Sequence, residues 1–270
     1  MGLQYKKFIL FGDSITEHST ILNDGLALHP KLQELYLRKL DVLARGYGGY
    51  NSTYASIILP EILQTELNSD KDNIPLMTIF FGTNDVWNFQ DELNHKQAVT
   101  IEQYQANLEK MITMALANNI NPIIIGPGLH DNRLTKIHFL DRPVHIGDGT
   151  TNKRNHQYSK VAQSVASSFN VAFVDIWNLM RVHANLTVEQ LYESTGSSSD
   201  DKYVDLSEFL YDGVHYTKTG YQLLYEGIKT AIETWYPELL AENFPIVLPQ
   251  WHDIDVNNVK ESIFKSENEE

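Results

Sequence analysis

Five short apolar runs stand out along the chain: Lys6–Phe11, Asp41–Arg45, Leu76–Phe81, Pro122–Gly126 and Val171–Asp175. Each is continuous rather than alternating, the pattern of a strand covered on both faces. Between them, apolar residues recur at helical spacing. Ser52–Leu67 places Ile58, Ile62 and Leu63 on one side. Thr100–Leu116 opens with Thr100 and Gln103 in capping-box register and continues with Ile101, Tyr104, Leu108, Met111, Ile112 and Ala115. Lys153–Phe169 reads as a more polar helix, and Thr217–Trp235 carries Leu224, Ile228, Ala231 and Trp235. Strand–helix alternation of this kind predicts an α/β fold, a parallel sheet with helices on both faces.

Three stretches read as loops or extended chain. Gly126–Asn152 is long and holds Gly, Pro and several His; loops of that length are usually functional or mobile. Thr195–Lys202 is rich in Ser and Asp. After Trp235 come Pro237, Pro245 and Pro249 and then an acidic end. The expected organisation is one domain over residues 1–236, an extended strap over 237–255 and a disordered acidic tail over 256–270.

Composition narrows the function. The chain has 270 residues, 42% hydrophobic and 21% charged, enough to bury a substantial core. Lys plus Arg number 21 and Asp plus Glu 35, for a formal net charge of −14. Such a balance argues against nucleic acid and against anionic membrane surfaces as general partners, because phosphate binding needs a cationic patch. There is no cysteine, so disulfides, thiolate nucleophiles and Cys-based metal sites are excluded. No apolar run has the length of a membrane span, and Met1–Phe11 is too short for a signal peptide, so the expected location is the cytosol. Asn-x-Ser/Thr triplets at Asn51 and Asn185 occur at the chance rate and carry little weight for secretion.

Candidate chemistry lies where strands end. In a parallel sheet, ligands bind beyond the carboxyl ends of the strands. The first strand ends in Phe11-Gly12-Asp13-Ser14, which places Ser14 where a nucleophile would sit; a helix N-cap, or an anion-binding turn, accounts for the same residues. The third ends in Gly82-Thr83-Asn84-Asp85, and the Asn84 amide can serve as an oxyanion donor or close an Asx turn. The second is followed by Arg45-Gly46-Tyr47-Gly48-Gly49-Tyr50-Asn51, which fails as a dinucleotide fingerprint because Asn51 stands at the third glycine position. It is either a tight turn or a place where a bare backbone N–H approaches a ligand. Asp212-Gly213-Val214-His215 precedes the last helix, and its spacing lets a carboxylate orient an imidazole. No His-Glu-x-x-His or other metal-ligand spacing occurs, and no metal or cofactor is expected.

These four blocks in one chain order resemble the GDSL, or SGNH, hydrolases. The likeness runs from Phe8 to about Gly220. Phe11-Gly12-Asp13-Ser14-Ile15-Thr16, the Arg45–Asn51 stretch, Asp212–Tyr216 and the Leu248-Pro249-Gln250-Trp251 strap resemble the fungal isoamyl acetate-hydrolysing esterases in particular. The resemblance implies a three-layer α/β/α sandwich, flavodoxin-like, with a five-stranded parallel sheet of order 2-1-3-4-5. It implies Ser14 as nucleophile, His215 as base and Asp212 as its orienting acid. The implied oxyanion hole is the backbone N–H of Ser14, the backbone N–H of Gly49 and the side chain of Asn84, with Asp13 structural. Gly48 departs from the pattern, standing where many relatives carry a small hydroxyl residue, and is expected to loosen the turn before Gly49. No Gly-x-Ser-x-Gly elbow occurs, which disfavours the α/β-hydrolase fold.

The expected activity is hydrolysis of short-chain carboxylic esters, acetates of aliphatic alcohols first. Carbohydrate deacetylase, thioesterase and lysophospholipase activities are the alternatives within the family, and a non-catalytic binding module the alternative outside it. Trp87 and Phe89 follow Asn84 and are expected to line the substrate pocket. The expected partner is a small-molecule ester. Phe244, Ile246, Val247, Leu248 and Trp251 are unusual in a tail without helical pattern, and serve either to cover the domain itself or as a homodimer contact.

Overall fold

A computed structural model of the chain describes residues 5–22, 24–68, 70–87, 96–138, 151–194 and 202–264. Five strands, β1 Lys6–Gly12, β2 Leu40–Gly46, β3 Leu76–Phe80, β4 Asn121–Ile125 and β5 Ala172–Val174, pair in the order β2-β1-β3-β4-β5, all parallel. The helices are α1 Ser14–Glu17, α2 Leu28–Leu35, α3 Ser52–Leu67, α4 Ile101–Leu116, α5 Asn132–His138, α6 Asn152–Ser168, α7 Ile176–His183, α8 Val188–Glu193, α9 Lys218–Trp235 and α10 Val259–Ile263. The order reverses between β1 and β3, and the carboxyl ends of those strands open the crevice where ligands bind in such sheets. The expected three-layer architecture and strand order are the ones observed.

The continuous apolar runs are explained by the two cores they divide. Phe8 and Leu10 of β1, with Leu76 and Phe80 of β3, face Leu28 and Leu32 of α2, Trp177 of α7 and Leu224 and Ile228 of α9. Ile9 and Phe11, with Met77 and Ile79, face Leu59 and Leu63 of α3, Leu108 and Met111 of α4 and Ala162 and Val165 of α6. Alternate residues of one strand thus enter opposite cores, so both faces select apolar side chains, with Thr78 of β3 a buried polar exception. On α3 it is Ala55, Leu59 and Leu63 that are buried, with Ile58 and Ile62 on the flank, so the apolar stripe is rotated from the one expected.

Some local details differ from expectation. The Thr100 hydroxyl accepts the Gln103 N–H at 3.2 Å, but the Gln103 carboxamide donates to Asn107 Oδ1 at 2.8 Å, one turn on, leaving half of the expected capping box. The full box forms at Thr187 and Gln190 on α8. The stretch expected as one long loop contains α5, and its residues 139–150 lie outside the described residues, as do 195–201 of the Ser/Asp-rich stretch. Short helix α10 falls where an acidic tail was expected disordered; 265–270 lie outside the described residues.

The strap runs back over its own domain. Arg38 donates to Gln250 Oε1 at 2.7 Å and to the carbonyls of Leu248 at 2.9 Å and Pro249 at 2.8 Å, while Val247 N–H donates to Arg38 O at 3.0 Å. Phe244 meets Tyr36 edge-on, ring centres 5.7 Å apart. Trp251 stays 82% exposed.

Candidate active site

The turn after β1 is organised by Asp13, not by Ser14. Asp13 is the N-cap of α1, its Oδ1 accepting the Ile15 N–H at 2.9 Å. That leaves Ser14 as the first helical residue with its hydroxyl uncommitted to the cap. Gly12 permits the tight approach here, since a Cβ at that position would lie 2.8 Å from the Phe80 carbonyl and would strike Thr16. Burial pushes the Asp13 carboxyl up to about 7, against the Ile15 N–H and the nearby His215, so it fits a cap and not a charged participant.

Ser14 meets a pair of side chains distant from it in sequence. Ser14 Oγ lies 2.8 Å from His215 Nε2, and His215 Nδ1 lies 2.6 Å from Asp212 Oδ2. The other carboxylate oxygen, Asp212 Oδ1, accepts the backbone N–H of Val214 at 3.0 Å and of His215 at 2.8 Å. Burial tends to raise the Asp212 carboxyl, but the His215 ring and these two N–H groups hold it below the usual range. The carboxylate is therefore charged and aimed at Nδ1, which leaves Nε2 as the nitrogen facing the serine.

The glycine turn after β2 meets this group from the side. Tyr47 N–H donates to Gly12 O at 2.9 Å, tying the ends of β1 and β2 together. Gly48 N–H donates to Glu17 Oε2 at 2.6 Å, so a carboxylate one helical turn past Ser14 pins the turn that was expected to be loose. Gly49 has φ +76°, a left-handed conformation that other residues rarely adopt. Asn51 then caps α3, accepting Tyr54 N–H at 3.0 Å; its side chain is buried and committed.

Asn84 reaches the same place from β3. Its Nδ2 donates to Tyr50 O at 2.8 Å across the crevice, and it forms no Asx turn, since the Val86 N–H goes instead to Gly82 O at 3.1 Å. The neighbouring Asp85 is buried and receives both the N–H and the hydroxyl of Ser52, locking the start of α3 beneath the turn. Ser14, Gly49, Asn84, Asp212 and His215 are thus brought together. Trp87 lines a small cavity beside Asn84 with Ile15, Leu129, His130 and Val214. Phe89 lies outside the described residues. A second cavity, of about 370 Å³, opens on the other side, lined by His18, Ile21, Leu22, Asp24 and Tyr211. His18, Tyr211, His130 and Glu17 carried no motif; only the folded chain shows what they touch. Among the described residues, no group of three His, Asp or Glu could hold a metal ion, and no helix is long and apolar enough to cross a membrane.

Comparison with known proteins shows the family and the fold. The profile of the GDSL-like lipase/acylhydrolase family matches residues 10–223. The chain is 31% identical to an isoamyl acetate-hydrolyzing esterase of Saccharomyces cerevisiae over 93% of its own length and 96% of that protein. It is 30% identical to an isoamyl acetate-hydrolyzing esterase 1 homolog of Homo sapiens, covering 94% and 90%. Among solved structures, a catalytic mutant of an acetylxylan esterase from Geobacillus stearothermophilus superposes with a TM-score of 0.57 at 18% identity, covering 86% of this chain and 96% of that one. A GDSL-like lipase from Bacteroides thetaiotaomicron gives 0.55 at 20%, covering 85% and 88%. At such identities these two establish the shared fold.

Proposed function

The chain belongs to the GDSL-like lipase/acylhydrolase family and is a carboxylic ester hydrolase, and from that premise we propose that it cleaves short-chain esters, acetates of aliphatic alcohols first, with Ser14 as nucleophile. The observation that carries this reading is the hydrogen-bonded chain from Ser14 Oγ through the His215 ring to Asp212.

In this mechanism His215 Nε2 takes the Ser14 proton as Oγ bonds to the ester carbonyl carbon. Charge moves to the carbonyl oxygen, which lies among the backbone N–H groups of Ser14 and Gly49 and the Asn84 amide. At the first turn of a helix the Ser14 N–H has no intrahelical acceptor, so it is available for that oxygen. The carbon–alkoxy bond then breaks and the leaving alcohol takes the proton from His215. Water, deprotonated by the same imidazole, attacks the acyl-serine; the carboxylic acid departs and Ser14 regains its proton.

The two cavities support the choice of substrate. The one beside Asn84 has a free interior of about 20 Å³, room for one water- or methyl-sized group, which suits an acetyl chain. The alcohol must leave beside His215, where the larger cavity is flanked by His18 and Tyr211 and lined by Ile21 and Leu22. Ile21 and Leu22 on that side favour an aliphatic alcohol, while His18 and Asp24 in the same lining keep a sugar as the second reading, raised by the acetylxylan esterase fold neighbours. The reading includes a cytosolic location and a homodimer contact at the strap, the latter supported by the exposure of Ile246 and Trp251. Sedimentation of the parent and of Trp251→Ser tests the dimer; a monomeric parent removes it.

The decisive experiment is a panel of aryl esters of increasing acyl length with Ser14→Ala as control. Acetate is expected to be cleaved fastest, with a steep fall beyond butyrate, and Ser14→Ala to be inactive yet folded. Activity of Ser14→Ala within a few-fold of the parent overturns the nucleophile, and a preference for long acyl chains overturns the substrate.

A further inference from the structure

Gln97 lies outside every recognised motif, between the Trp87 region and the start of α4, and it is held in place from three sides. Asn51 Nδ2 donates to Gln97 O at 2.9 Å, the Tyr54 hydroxyl donates to Lys96 O at 3.1 Å, and Val99 N–H donates to Asp85 O at 3.0 Å. Its backbone is thereby fastened to the start of α3 and the end of β3, the two elements that carry Gly49 and Asn84. The side chain turns back between them. Gln97 Nε2 donates to Gly49 O at 2.9 Å and lies 3.4 Å from Asn84 Oδ1. A Cβ at Gly49 would sit 3.1 Å from the same nitrogen, so the carboxamide closes directly on the turn.

We propose that Gln97 is a positioning residue for the oxyanion hole, its one carboxamide nitrogen holding the Gly49 turn and the Asn84 amide in register. The inference rests on the reading of Gly49 and Asn84 as oxyanion donors. Two physical consequences make the arrangement useful. An N–H facing Asn84 Oδ1 decides which way round that amide sits: the oxygen faces Gln97, and Nδ2 faces Tyr50 O and the crevice. The reversed amide would set two N–H groups against each other. The bond to Gly49 O pins the Gly49–Tyr50 peptide, and so holds from its C-terminal side a glycine whose own N–H, in the preceding peptide, is otherwise free to swing. Donors that are already aligned cost no reorganisation as charge develops, which is where their value lies. Gln97 touches neither substrate nor the reacting atoms in this scheme; it acts through the two donors.

The test is a kinetic comparison of Gln97→Ala, Gln97→Glu, Asn84→Ala, Ser14→Ala and the double variant Gln97→Ala/Asn84→Ala on an acetate ester, each with a thermal melt. Removing an outer partner of this kind should lower kcat about 10-fold with KM within about two-fold. Gln97→Glu is nearly isosteric but sets acceptors against Gly49 O and Asn84 Oδ1, and is expected to be worse than Ala, about 100-fold, with a melting temperature close to the parent. In the Asn84→Ala background the loss from Gln97→Ala should shrink to about two- to three-fold, because part of what it positions is gone. A merely structural residue would lower the melting temperature and lose the same factor in both backgrounds. Equal factors, or both Gln97 variants within two-fold of the parent kcat while Ser14→Ala is dead and Asn84→Ala impaired, overturn the inference alone. A parental kcat for Asn84→Ala instead overturns the oxyanion reading on which it rests.

Discussion

The imidazole of His18 lies against that of His215, ring centres 4.5 Å apart and planes tilted by 39°, and its Nδ1 meets the Tyr211 hydroxyl at 3.2 Å. Tyr211 in turn stacks on His215 at 5.8 Å. Burial and the neighbouring His215 lower the His18 pKa, against Glu17 and Asp212, which favours a neutral ring in its hydrogen bond with the tyrosine hydroxyl. The proposed base thus packs against two rings, themselves in contact, that also wall the alcohol-side cavity. His18→Ala should widen that cavity and shift preference toward bulkier alcohols, lowering kcat/KM for a five-carbon alcohol acetate by about 10-fold. A panel of acetates with alcohols of increasing size checks this; an unchanged ranking would separate the cavity from the alcohol.

Asp212→Asn should lower kcat by about 10³–10⁴-fold with the fold intact, because the amide no longer accepts the His215 Nδ1–H and favours the wrong tautomer. Steady-state kinetics at fixed pH read this directly, and a near-parental rate would mean that another group orients the ring.

Asn84→Ala should lower kcat by about 10²–10³-fold with nearly parental KM, since its second N–H matters most once the oxyanion forms. The lost bond to Tyr50 O should also cost a few degrees in melting temperature. A change confined to KM, or instability that explains the whole decline, would move Asn84 out of the oxyanion hole.

Buried titratable groups should make stability depend on pH below neutrality. Asp13 and Asp85 are fully buried, and burial pushes each carboxyl up to about 7, against their hydrogen bonds. The unfolded chain releases these protons near the ordinary aspartate value, about 3.9. Between about pH 4 and 7 these two groups hold more protons in the folded state, so their contribution to stability declines through that window at ~1.4 kcal/mol per pH unit for each full proton of difference. Glu66, Asp205 and Asp212 are held low and act in the opposite sense below the ordinary carboxylate range. His130, which burial pushes down to about 4, and His18 and His156, also lowered by burial, act in the opposite sense up to the ordinary histidine value, about 6.5. In thermal melts from pH 5 to 8, the Tm of Asp85→Asn should therefore fall less, or rise more, with pH than that of the parent. Equal pH slopes in the two proteins would contradict the assignment.

Arg38→Ala should release the strap. Its guanidinium makes three of the bonds that hold residues 248–250, and its own backbone carbonyl accepts a fourth from Val247. Limited proteolysis should cut within 245–252 faster than in the parent, with kcat for a small acetate within about two-fold, as surface changes far from a site usually allow. Unaltered cleavage would show that Tyr36 and Phe244 suffice.

The sequence by itself determined the five strands, the four long helices and the chain order of the blocks at the strand ends. The reason is physical: a strand buried on both faces selects apolar residues at nearly every position, and its apolar run is visible without knowing what covers it. Asp212 and His215 were legible too, because three residues suffice for a carboxylate to reach the neighbouring ring. The tertiary structure decided between readings that local chemistry left open. Ser14 and Asp13 are both good N-caps, and only the folded turn gives the cap to Asp13 and frees the serine. Asn84 fits an Asx turn as well as it fits a donor, until Tyr50 O is brought beside it. Gly48 looked like a weak point until Glu17 was placed against its N–H. Gln97, His18 and Tyr211 had no signal at all, for their roles depend on contacts across 48, 13 and 193 residues of chain, distances over which no periodicity or spacing carries information.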